Sequence, residues 1–134
     1  MITSATEFIR LRESDDLKEQ NRASTEQAEL NIWLEVIEKY PEYKVWVIHN
    51  KKVQIEILEL LSKDSNPDVR SAVARKRKLN KIIKDKLSKD LDENVRFALM
   101  SNTRLDIEEL KQIYVDDSDW LKEKLAERIK NAYS

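Results

Sequence analysis

The chain repeats itself every 26 residues, and that period constrains its fold more than any other feature of the sequence. Leu61-Ser62-Lys63-Asp64 recurs as Leu87-Ser88-Lys89-Asp90, and Val69-Arg70-x-Ala72-Val73 recurs as Val95-Arg96-x-Ala98-Leu99, always 26 residues on and without a gap. One step back places Pro41 under Pro67, Lys44 under Arg70 and Val47 under Val73. One step forward places Asp116 under Asp90, Leu121 under Val95, Lys122 under Arg96 and Leu125 under Leu99. About four copies therefore cover 34–131, the middle two clearest and the outer two degenerate, as the end units of a stacked array are. A unit this short cannot bury an apolar face alone and must stack on its neighbours.

Each copy reads as two helices. Asn66, Asp92 and Ser118 hold equivalent positions, and all three residue types cap helix N-termini well. Pro67 follows at the first helical position, where its missing N–H costs nothing. A two-turn helix follows, with Val69, Ala72 and Val73 facing inward. The second helix of each copy carries apolar residues at helical spacing: Ile55, Ile57, Leu58 and Leu61; then Ile82, Ile83 and Leu87; then Ile107, Leu110, Ile113 and Tyr114. Before the repeat, Ser4-x-x-Glu7 and Ser24-x-x-Gln27 read as capping boxes that open helices covering one end of the stack. At the other end, 120–133 reads as a closing helix with Leu121, Leu125 and Ile129 on one face. The chain has no Gly and no Cys. Gly-built phosphate loops, tight primed hairpins, disulfides, thiol nucleophiles and Cys-held metals are therefore excluded.

The stretches 61–74 (LSKDSNPDVRSAVA) and 87–100 (LSKDLDENVRFALM) resemble HEAT-like repeats, closest to the short bacterial type called the variant leucine-rich repeat. The stretch 50–58 (NKKVQIEIL) is similar to that family's passage into its second helix, with Asn50 and Glu56 matching, and Asn102 with Glu108 matching again; Lys76 and Ile82 depart from the pattern. The resemblance implies an all-α, right-handed α-solenoid of helix pairs. The expected layout is one domain over 1–134, with 1–33 an N-terminal helical cap and 34–131 the repeats. It also implies a non-enzymatic binding module, of regulatory or immunity type, that engages another protein. The iron–sulfur role of some members does not transfer to a chain without Cys, and no residue matches the pocket of the distantly related alkylpurine DNA glycosylases.

Overall neutrality, a formal −1, hides a segregation of charge. Residues 1–69 carry a net −5, residues 70–89 a net +8 and residues 90–134 a net −4. Repeat register makes Lys52, Lys78 and Arg104 equivalent, and likewise Lys51 and Arg77. Lys51, Lys52, Arg75, Lys76, Arg77, Lys78, Lys81 and Arg104 are thus the candidate partner-binding residues, expected along one edge if the helices stack about 8–10 Å apart. Three readings are open: a solvated surface, a site for an acidic protein surface, or a site for a nucleic-acid backbone. The slightly acidic whole and the lack of aromatics within the basic run rank nucleic acid below protein.

The Asp64, Asp90, Asp116 column and the Arg70, Arg96 column read as a structural ladder of caps and ion pairs, because a catalytic constellation would not recur with the fold. His49, the one histidine, is expected at a helix end; Asp15-Asp16 and Asp116-Asp117 as caps; Trp33, Trp46 and Trp120 as core. No nucleophile–base pair or metal motif stands out, so neither catalysis nor a cofactor is expected. The N-terminus lacks a secretory pattern, and no run approaches the ~20 apolar residues of a membrane span. A cytoplasmic monomer without a membrane partner is the resulting expectation.

Overall fold

The computed structural model describes residues 1–133. Among these the fold is all-helical: α1 (Ala5–Glu13), α2 (Leu17–Thr25), α3 (Leu30–Lys39), a 3-10 turn (Pro41–Tyr43), α4 (Lys44–His49), α5 (Ile55–Leu61), α6 (Pro67–Ala74), α7 (Lys81–Leu87), α8 (Glu93–Met100), α9 (Ile107–Lys111) and α10 (Asp119–Ala132). No strand forms among the described residues; a lone parallel bridge joins Ile2 and Ala28. The 26-residue period is visible in the helix starts. The turn leading into α4 begins at 41, and α6, α8 and α10 begin at 67, 93 and 119. The odd-numbered helices begin at 5, 30, 55, 81 and 107. The segment 1–33 holds α1, α2 and the first turn of α3, and it continues the same alternation along the chain.

Side-chain caps set most of these starts. Ser4 accepts from Glu7 N at 3.0 Å, Asp16 from Lys18 N at 2.9 Å, Asn66 from Asp68 N at 2.8 Å, Asp92 from Asn94 N at 2.8 Å and Ser118 from Leu121 N at 3.1 Å. Asp106 and Glu109 form a complete capping box. Ser24 does not open a helix: it lies in the last turn of α2, where its hydroxyl donates to the Asn21 carbonyl at 3.1 Å. Asp16 had already started that helix eight residues earlier.

Helix ends follow a different rule. No described residue has a positive φ, so no helix here stops by the left-handed turn that Gly commonly supplies. Long polar side chains take up carbonyls at the helix ends and in the links beyond them. Gln20 Nε2 donates to Ser14 O at 2.6 Å, Gln54 Nε2 to Ala28 O at 2.8 Å and Arg70 to Asp64 O at 2.8 Å. Asn50 Nδ2 donates both to Ala23 O at 2.9 Å and to Glu26 O at 2.8 Å.

The helices gather into two compact units, Met1–Leu61 and Ser62–Ser134. In the first, Phe8 meets the fully buried Trp33 edge-on, with ring centroids 5.0 Å apart. Val36, Val47, Ile57 and Leu61 are buried with them. In the second, α6 packs against α8, and Val69, Val73, Val95, Leu99, Leu110 and Leu121 are buried. Trp46 and Trp120 are each 40% exposed, against expectation. On α4 the inward positions belong to Val47 and Ile48, which leaves Trp46 outward beneath the Arg12 guanidinium, 3.6 Å from its ring centre. Trp120 precedes the buried Leu121 and rests on Phe97 instead. Ile82 is exposed for the same geometric reason, since consecutive helical residues diverge and Ile83 takes the core. Tyr114, also exposed, lies beyond the end of α9.

The charged columns form internal bridges. Arg70 makes a two-pronged pair with Asp90, at 2.8 and 3.1 Å, and the Asp90 side chain is only 3% exposed. Asp90 also accepts from Asp92 N at 3.0 Å. Burial pushes its carboxyl up, but the Arg70 guanidinium and that backbone N–H outweigh it and hold it below the usual aspartate value. Arg96, 1% exposed, pairs with Asp117 rather than the register-matched Asp116 and also donates to Tyr114 O at 2.6 Å. Ser118, not either aspartate, caps α10.

Arg70→Ala strands a buried carboxylate and is expected to cost about 3 kcal/mol in urea unfolding. Asp90 is depressed when folded, so its stabilisation is full above pH ~4 and lost as pH falls through its folded value; the gap between wild type and variant narrows there. A gap independent of pH would contradict this assignment. A second expectation concerns Tyr43. Its phenol donates to Glu13, which together with burial pushes it up to about 12. The folded protein therefore holds that proton longer than the unfolded chain, and this contribution is present below pH ~10 and lost between 10 and 12. Absorbance at 295 nm should show a late-titrating phenol that Tyr43→Phe removes.

Candidate functional site

Because α6 packs on α8, the segments that follow them, 75–77 and 101–104, are brought together in the second unit. Asn102 fastens them. Its side chain is buried, and Nδ2 donates to Ala74 O at 2.9 Å and to Lys76 O at 2.8 Å, while Oδ1 accepts from Arg104 N at 3.0 Å. One amide thus ties off the end of α6 and shapes its own loop. Asn50 makes the same set in the first unit, where its Oδ1 accepts from Lys52 N at 2.8 Å.

The result is an open cleft of about 430 Å³ lined by Arg75, Arg77, Ser101, Asn102, Thr103 and Arg104. All three arginines are exposed, and no ion pair engages any of them among the described residues. Among the described residues no carboxylate lines the cleft. Ser101 donates its hydroxyl to Phe97 O at 3.0 Å, which leaves its oxygen as an acceptor. The cations also sit where two helices present their C-terminal carbonyls, an end that favours positive charge.

The eight candidate residues separate in structure. Arg75, Arg77 and Arg104 share this cleft. Lys76 lies between two of them but is half-buried and does not line it; burial holds its ammonium below the usual lysine range. Lys78 is exposed, and Lys81 pairs with Asp85. Lys51 and Lys52 belong to the first unit and are exposed there. Two further cations of the basic segment are committed internally, Arg70 to Asp90 and Lys84 to Glu109 at 2.6 Å. Ser101 and Thr103 carried no sequence signal. Asn102 did, since it stands two periods after Asn50.

Other polar features offer less. Among the described residues, no three His, Asp or Glu side chains gather as a metal site requires. His49 ends α4 as expected, is exposed and lies beside Trp46. No described helix is long and apolar enough to cross a membrane. Comparison of the chain with family models, with curated proteins and with solved structures finds no match in any of the three.

The Asn102 tie is testable. Asn102→Ala leaves two carbonyls and one N–H without their partner and is expected to cost about 2–3 kcal/mol in urea unfolding. Asn102→Asp should cost more, because it turns a donor toward those carbonyls into a buried negative charge. An aspartate variant as stable as wild type would rule the tie out.

Proposed function

We propose that the chain is a non-enzymatic helical-repeat binding module, a right-handed solenoid of HEAT-like helix pairs, that grips an acidic surface on a protein partner. It acts as a cytoplasmic monomer of regulatory or immunity type. The observation that carries the reading is the convergence of Arg75, Arg77 and Arg104 on one cleft that contains no counter-charge. Guanidinium forks match carboxylate geometry and hold their charge at any physiological pH. Three of them side by side repel one another, and an acidic partner relieves that repulsion.

A nucleic-acid backbone is the second reading, favoured by the nine cations and one acidic residue of 70–89. The placement of those cations weakens it. Arg70, Lys81 and Lys84 are paired with carboxylates and Lys76 is half-buried, so only part of that charge is left for a backbone track.

Fluorescence anisotropy separates the two. A labelled hexaglutamate peptide should bind at low salt, weaken as salt rises, and lose at least tenfold in affinity when Arg75, Arg77 and Arg104 are all replaced by Ser. The three side chains are exposed, so thermal unfolding should barely change. Tighter binding of duplex DNA or single-stranded RNA at matched ionic strength would favour the second reading.

A further inference from the structure

The geometry points to a phosphate monoester as the group the Arg75–Arg77–Arg104 cleft is built to hold: a phosphorylated side chain of the partner protein. This deepens the acidic-partner reading and rests on it. The cleft brings three guanidiniums to one place, and no carboxylate lines it. A single Asp or Glu carboxylate brings one charge and two oxygens, which one guanidinium fork satisfies. A phosphate monoester brings nearly two charges and three free oxygens, enough to engage forks from both loops together. The Thr103 hydroxyl stands at the same cleft as a further donor.

The surroundings argue for one phosphate rather than a run of them. Thr103 also borders a second depression, and that one is lined by Asp106 and Glu108 together with Arg128. Beyond it, the groove along α7 and α9 carries Asp106 and Glu108 together with Asp85 and Glu109, which are paired with Lys81 and Lys84. A polyphosphate backbone leaving the arginine cleft on this side meets mixed charge rather than a second cluster of unpaired cations. A single phosphorylated side chain needs only the one cluster. Asn102 adds preorganisation, because its bonds to Ala74 O, Lys76 O and Arg104 N fix both arginine-bearing loops before any ligand arrives.

The test uses the full chain and four labelled probes at one ionic strength: a Gly/Ser peptide with a single phosphoserine, its unphosphorylated twin, hexaglutamate, and a single-stranded DNA 12-mer. Inorganic phosphate serves as competitor. The phosphopeptide should bind at least tenfold more tightly than its twin and more tightly than hexaglutamate, and inorganic phosphate should displace it. Its affinity should rise from pH 5 to pH 7.5 as the phosphate loses its second proton near pH ~6. Hexaglutamate should change less over that range, since its carboxylates are already mostly ionised at pH 5 and, among the described residues, neither histidine nor carboxylate lines the cleft. Arg77→Ser with Arg104→Ser should abolish the preference while leaving thermal unfolding intact. Resonances of 75–77 and 101–104 should shift on titration with phosphate and not with chloride. Hexaglutamate binding as tightly as the phosphopeptide would overturn the phosphate assignment and leave the acidic-partner reading standing. No binding by either would remove both. Tighter binding of the DNA would overturn the assignment in favour of nucleic acid.

Discussion

A helix end leaves carbonyl groups without partners, and this chain has no glycine with which to turn them away. The rest of the fold depends on how it satisfies them. Side-chain amides reach the stranded oxygens from positions later in the chain, Asn50 at the end of α2 and Asn102 at the end of α6, and Gln54 reaches Ala28 O in the link before α3 in the same way. Each of these ties spans close to one period, from 24 to 28 residues. A buried carbonyl left unpaired costs on the order of 1–3 kcal/mol. The register is therefore fixed by polar chemistry as firmly as by the apolar stripe, and a one-residue slip would lose both.

The same economy sorts the charges. A side chain such as Arg70 is part of the scaffold, pinned between a carbonyl and the buried Asp90 carboxylate. Arg75 and Arg77, five and seven residues on, are exposed and engage no carboxylate among the described residues. Net charge counted along the sequence cannot distinguish these two kinds of arginine, because the distinction is made by the carboxylates that the fold delivers. The +8 of the central segment is, in three dimensions, partly neutralised scaffold and partly unpaired cations, two of which, Arg75 and Arg77, share a cleft with Arg104.

What the sequence revealed and what it hid follow from this. The period, the caps at Asn66, Asp92 and Ser118, and the bridging role of Arg70 were legible because each depends on local spacing or on the repeat itself. Burial of individual aromatics was not. Trp46 sits in apolar company along the chain and Trp120 stands beside Leu121, but the helical rotation hands the inward place to a neighbour. Ser24 imitates a cap because four polar letters carry the same pattern at a helix end as at a helix start. Asp117 takes the Arg96 partnership that register gives to Asp116, and nothing in the structure explains the one-residue shift. Of the eight candidate cations, the sequence could not single out the three that share a cleft. Their convergence depends on α6 lying against α8 and on one buried amide between them.

The right-handed helix stops have a wider meaning. Arg75 and Ser101 are the residues at which α6 and α8 end, with φ of −88° and −77°. In a left-handed stop this region of the chain usually carries a bare glycine, which has no side chain to offer. Here punctuation and vocabulary coincide: the residue that ends a helix is free to be any amino acid but proline, which lacks the N–H that these positions donate. The helix-ending rim can change its chemistry by single substitutions without disturbing the backbone beneath it. A scaffold built this way can acquire a new ligand at its helix ends while its interior stays the same.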